Sequence, residues 1–136
     1  MKLRENQNQQ IEYIYSDDAI KEGSMVNLSQ EDYEAMKEIE GDILRRLQIA
    51  VREGIRTNCK EGVEIARLHK KWLSYIWEEY KTKYHLQIAD KIVDDEKLRT
   101  YYDKECIGCA DFLRNAIRNY IYKEEKEELP KTDLNK

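Results

Sequence analysis

Few side chains in this sequence could do chemistry: three cysteines, two histidines and an excess of tyrosine. Cys106 and Cys109 make a C-x-x-C. Such a pair binds zinc when a second pair accompanies it, and acts as a dithiol redox site when it opens a helix in a βαβ setting. The sequence offers neither a second pair nor a βαβ pattern. Cys109 therefore reads as a small core residue of the helix that follows, with Cys106 incidental to it. Cys59 lies close to a helix start, which favours a thiolate, but no base stands near it in sequence. His69 precedes Trp72 by three residues and shares its helical face, where a histidine is more often a satisfied core residue than a ligand. His85 is remote from His69 in sequence, the two lack metal-ligand spacing, and nothing around either marks a haem pocket. No glycine-rich phosphate loop, HExxH pair or nucleophile elbow occurs. Paired carboxylates are frequent, but among 28 acidic residues they are the expected solvated faces of helices. The chain is expected to be no enzyme and to need no cofactor or metal.

The informative excess is aromatic. Ten tyrosines and two tryptophans accompany one phenylalanine. Core packing alone has no reason to choose Tyr over Phe so heavily, because each buried hydroxyl needs a partner. Two readings stand side by side: tyrosines at helix edges, half in water, or a cleft walled by tyrosine and tryptophan.

The elements that must position these groups are helical. The 136 residues hold one proline, five glycines and 38% charged residues, a composition poor in turn formers. At this length one domain can bury a core without staples. The stretch from Asp95 to Tyr122 organises the rest. Its second half carries Cys109, Phe112, Leu113, Ala116, Ile117, Tyr120 and Ile121 at three- and four-residue steps, one face of a helix that needs walls from the rest of the chain. Ser29 followed by Asp32 predicts a capped helix start, the stripe Tyr33, Met36, Ile39, Ile43, Leu47, Ala50 and Val51 continues it, and Gly54 ends it. A second long helix is expected over about 58–79 and a shorter one with Tyr84, Ile88 and Ile92 on one line. Asp95 is a plausible N-cap for an element carrying Leu98, Tyr101 and Tyr102. Residues 1–28 hold irregular apolar islands and are expected to be weakly ordered, folding as a lid when a ligand binds or plugging a cleft. Residues 123–136 read as a charged, frayed tail.

The net charge of −4, with basic residues interleaved among acids, argues against nucleic-acid binding by this chain. No apolar run is long enough to span a membrane, no signal peptide opens the sequence, and three cysteines suit a reducing cytoplasm.

The span 29–122 resembles the TipAS-type antibiotic-recognition domain, which forms the C-terminal half of some MerR-family transcription regulators and also occurs alone. The resemblance rests on SQEDY at 29–33, Gly54, the His69-x-x-Trp72 motif, DDEKL at 94–98, YYDK at 101–104, and Gly108 followed by FLRNAI at 112–117. It implies an all-α, compact, globin-like domain without haem, whose cleft takes large, flat, often peptide-derived antibiotics. Regulators of this kind switch efflux genes, and free-standing domains sequester the drug. The sequence departs from the family pattern in three ways. No winged-helix domain fits before residue 29, the upstream tryptophan-glycine signature is missing, and Gln87 stands where some thiopeptide-binding members carry a reactive cysteine. Gln cannot supply the thiolate that capture of a dehydroalanine requires.

The expected function is thus non-covalent binding of a bulky aromatic or peptide-like antibiotic, as drug sequestration or as the sensor half of a MerR-type regulator. His69, Trp72, Ile76, Tyr84, Gln87, Ile88, Tyr101 and Tyr102 are the candidate ligand-binding residues, Trp72 and the tyrosines stacking while His69 and Gln87 fix polar edges. The rival reading is an interaction module that docks a partner helix, which an exposed seam of Ile and Leu would favour.

Overall fold

Ser29 starts the first helix, α1 (Gln30–Arg52), by accepting a hydrogen bond from the Asp32 backbone N–H at 3.0 Å, with Glu31 and Asp32 at the positive end of the helix dipole. The structure, a computed structural model, describes residues 29–77 and 79–128, so the expectations for the 1–28 segment and for 129–136 lie outside the described residues. At the far end of α1, Gly54 takes φ 68°, the Ile55 N–H donates to the Ala50 carbonyl at 2.9 Å and the Gly54 N–H to the Val51 carbonyl at 3.2 Å. These two bonds are the Schellman pair, which satisfies carbonyls that the helix end leaves without donors.

Four more helices follow: α2 (Lys60–Ser74), α3 (Thr82–Asp94), α4 (Glu96–Asp103) and α5 (Cys109–Glu128). No strand occurs among the described residues, and the protein is all-α. α2 ends sooner than the expected 79. The chain leaves the helix through a tight turn in which the N–H groups of Ile76 and Trp77 both donate to the Leu73 carbonyl. Trp72, Leu73, Ile76 and Trp77 are all buried. Asp95 caps α4 as expected, its carboxylate accepting from the N–H groups of Lys97 at 2.9 Å and Leu98 at 3.2 Å. The start of α5 is held from upstream: Asp103 Oδ1 accepts from the Gly108 and Ala110 N–H groups at 3.3 and 2.8 Å. α5 runs on past Tyr122 to Glu128.

α5 packs on all four other helices, most extensively on α2 and α3. Its expected stripe is buried throughout, from Cys109 and Phe112 to Tyr120 and Ile121. Side chains tie the helices at the margins: Arg118 to Asp90 at 2.6 Å between α5 and α3, Arg46 to Glu61 at 3.1 Å between α1 and α2, and Asn119 Nδ2 donating to Thr57 Oγ1 at 2.9 Å. Gly62 lets α2 lie against the loop before it; a Cβ there would sit 2.0 Å from the Thr57 carbonyl oxygen. No described helix is long and apolar enough to cross a membrane.

Candidate functional site

Six aromatic rings from α2, the turn after it and α3 form a continuous chain of contacts. Trp72 lies against His69 with centroids 5.4 Å apart, and His69 stacks on His85 at 5.0 Å and 16°. His85 meets the edge of Tyr80 at 5.4 Å, Tyr80 lies 6.2 Å from Trp77, and Trp77 meets Tyr84 edge-on at 6.4 Å. The local sequence makes this possible on both sides. His69 shares the buried face of α2 with Ile65, Ala66, Trp72 and Leu73, and His85 begins the buried stripe His85, Ile88, Ala89 and Ile92 of α3. Packing both stripes on α5 sets the two imidazoles side by side.

Hydrogen bonds run through the same rings. Tyr80 Oη is 2.6 Å from His85 Nδ1, and His85 Nε2 is 2.9 Å from His69 Nδ1. Both histidines are buried, at 1% and 0% exposure. Removal from water pushes His69 down to about 3. Burial first, and then the charges of His69 and Lys70, hold His85 well below its ordinary value. Both rings are therefore neutral near pH 7, each with one N–H and one acceptor nitrogen. Two proton arrangements satisfy the chain. Tyr80 donates to His85, which donates to His69, leaving an N–H at His69 Nε2; or every bond reverses and leaves a lone pair there. In both, His69 Nε2 is the terminus, and it has no hydrogen-bond partner among the described residues. A buried polar atom left so costs about 1–3 kcal/mol.

The outer end of the chain is charged. Lys70 Nζ lies 4.7 Å from the centre of the Tyr80 ring, 6.0 Å from that of Tyr120 and 4.0 Å from Glu124 Oε1. Burial raises the Tyr80 hydroxyl above its ordinary value, with the charges of Tyr120 and Glu124 adding. Burial, with a hydrogen bond to Glu124, pushes Tyr120 up to about 12. An imidazole with a pKa of about 3 is too weak a base to take protons efficiently near neutrality. The arrangement is suited to offering one buried hydrogen bond among aromatic faces.

Of the candidate residues, His69, Trp72 and Tyr84 lie in this ring chain, with Tyr84 half-buried at its end. Ile76 and Ile88 are fully buried core residues. Gln87 is exposed, on the side of α3 away from His85, Ile88 and Ile92. Tyr101 and Tyr102 form a separate edge-to-face pair on α4, with centroids 5.0 Å apart. The Tyr101 hydroxyl donates to Glu40 of α1, and burial raises the Glu40 carboxyl, opposed by that hydrogen bond and by Lys37 and Lys104. Sequence reasoning passed over Trp77, Tyr80 and His85. The signal for His85 was its place one turn before Ile88 and Ala89 on an apolar stripe. Among the described residues no three His, Cys, Asp or Glu side chains are grouped to hold a metal ion.

Comparison with known proteins agrees with the resemblance read from the motifs. The TipAS antibiotic-recognition domain matches residues 8–120, which takes in all the rings above and reaches into the 1–28 segment. No curated protein and no solved structure matches the chain. With that match spanning most of its length, the chain belongs to the TipAS antibiotic-recognition domain family.

Proposed function

We propose that this domain binds a bulky, peptide-like or aromatic antibiotic without forming a covalent bond, with His69 and Trp72 at the centre of the site. The observation that carries the reading is His69 Nε2, a buried polar atom with no described partner at the end of the hydrogen-bond chain through these rings and beside Trp72. A ligand that supplies the missing hydrogen bond and stacks on the rings recovers the cost of leaving that atom unpaired. Because the proton arrangement can reverse, the same site accepts a ligand donor or a ligand acceptor. Ile76, Tyr84 and Ile88 would supply apolar wall, and Tyr101 and Tyr102 a second aromatic surface joined to Glu40. Gln87 would act only at the margin of the site. In the cell the domain would sequester the drug, or serve as the sensor of a MerR-type transcription regulator.

The exposed large apolar residues among those described are Ile49, Ile107 and Tyr122, one each from α1, the turn before α5, and α5. They make no stripe along a helix of the kind that docking a partner helix would use. The test is a thermal-shift screen against structurally diverse antibiotics. A ligand at a hundred times its dissociation constant should stabilise the fold by about 2.7 kcal/mol, and His69→Phe should abolish most of that shift while remaining folded. A binder whose shift is unchanged in His69→Phe would remove the site. Intact mass after incubation with a dehydroalanine-bearing thiopeptide should show no adduct, since position 87 carries no thiol; a stoichiometric adduct would contradict the non-covalent reading.

A further inference from the structure

Cys106 and Cys109 stand at the two ends of the turn that leads into α5. The Cys109 N–H donates to the Cys106 carbonyl at 3.3 Å, and Gly108, the third residue of the turn, has φ 110°. A positive φ at that position is what a type II turn requires, and such a turn holds its end Cα atoms within about 7 Å. Disulfides span Cα separations of about 4.4–6.8 Å. The Cys106 thiol lies near enough to Cys109 to oppose its ionisation, and Cys106 Sγ sits 4.0 Å from the Ile107 carbonyl oxygen. Their exposure differs: Cys106 is half-buried and open to small molecules, whereas Cys109 is 1% exposed.

We propose that Cys106 and Cys109 are a reversible thiol–disulfide pair, oxidised by a low-molecular-weight disulfide such as oxidised glutathione, with Cys106 reacting first. The Cys106 thiolate attacks one sulfur of the small disulfide, forming a mixed disulfide and releasing one small thiolate, which takes a proton from water. Cys109 then loses its proton to water, and its thiolate attacks Sγ of Cys106. The mixed disulfide breaks, the second small thiolate leaves and is protonated, and the Cys106–Cys109 bond forms. Two electrons pass from the protein thiols to one small disulfide, which becomes two thiols.

The order of attack follows from the surroundings. Burial pushes the Cys109 thiol up to about 12, with the charges of Cys106 and Asp103 adding to the effect, so Cys109 is a poor first nucleophile. Converting Cys106 to a mixed disulfide removes its charge, while Asp103 continues to oppose the Cys109 thiolate and Arg52 to favour it. Cys59 serves as an internal reference. It is half-buried, and its thiol donates to the Arg56 carbonyl at 3.0 Å.

The test uses the full chain, reduced and then exposed to increasing oxidised glutathione, quenched in acid, alkylated and digested with trypsin. The peptide Glu105–Arg114 holds both cysteines. It should become lighter by two hydrogens, resist alkylation, and regain both thiols with dithiothreitol, while Cys59 carries at most one glutathione. Cys109→Ser should trap glutathione on Cys106, and Cys106→Ser should leave Cys109 alkylatable only after unfolding. The proposal is overturned by a wild-type peptide that keeps glutathione on Cys106 beside a free Cys109. It is equally overturned if both thiols stay free at concentrations that modify Cys59, or if chains become linked to one another through Cys106.

Discussion

His69 and His85 have both left water without gaining a carboxylate, and the nearest cation, Lys70, further opposes a charge on His85. Each binds a proton less readily in the fold than in the unfolded chain, where the ordinary value is 6.5. Below that pH the unfolded chain carries more protons, so stability is lost as pH falls, at a slope approaching about 1.4 kcal/mol per pH unit for each histidine. For His69 the loss continues down to about pH 3. Glu40 acts in the opposite sense, its raised carboxyl favouring the fold as pH falls toward its ordinary 4.5, but it is one group against two. Urea midpoints measured between pH 7 and pH 5 should fall steadily; a flat profile would mean that burial holds neither ring neutral. Trp72, 2% exposed beside His69, should cost about 3–5 kcal/mol on truncation to Ala. Because it serves the core as well as the proposed site, its role in binding is read from ligand affinity in the folded fraction.

Two glycines in long helices predict opposite outcomes. In α1 a Cβ at Gly41 meets nothing nearer than the Arg45 guanidinium at 3.6 Å, a mobile group. Gly41→Ala should therefore stabilise the protein by about 0.5–1 kcal/mol through lower backbone entropy in the unfolded chain. In α2 the added methyl of Gly62→Ala would overlap the Thr57 carbonyl, which is backbone and cannot swing aside. Moving that loop should cost about 1–3 kcal/mol and loosen the nearby Asn119–Thr57 bond, a tie between the loop and α5. Denaturation midpoints of the two variants should lie on opposite sides of the wild type. If Gly62→Ala lies at or above it, the close approach is not tight.

At the scale of the whole molecule α5 is the element every other helix touches. Leu113 and Ile117, fully buried on it, occupy the middle of the core. Leu113→Ala should cost about 2–5 kcal/mol and lower the midpoint of one cooperative transition, because no helix can keep its packing while α5 moves. Thermal unfolding followed both by circular dichroism and by tryptophan fluorescence should give coincident curves. Separate transitions would mean that the ring chain around Trp72 and Trp77 unfolds independently of α5.

What the sequence determined by itself was local. The Ser29 and Asp95 caps, the Gly54 stop and the α5 stripe follow from side-chain spacing within a turn or two, and the structure has all of them. Gln87, expected in the cleft, is exposed, and its place off the His85, Ile88 and Ile92 line accounts for that. Tertiary structure alone decided which stripes meet. His69 and His85 are sixteen residues apart and share no motif, and they touch because α2 and α3 both pack on α5. Tyr101 finds Glu40 sixty-one residues away for the same kind of reason. α2 stops at Ser74 although no glycine or proline in the sequence marks that end. Periodicity names the face a helix buries; the rotation and register of one helix against another, which bring two rings within hydrogen-bond reach, are set only when the core closes.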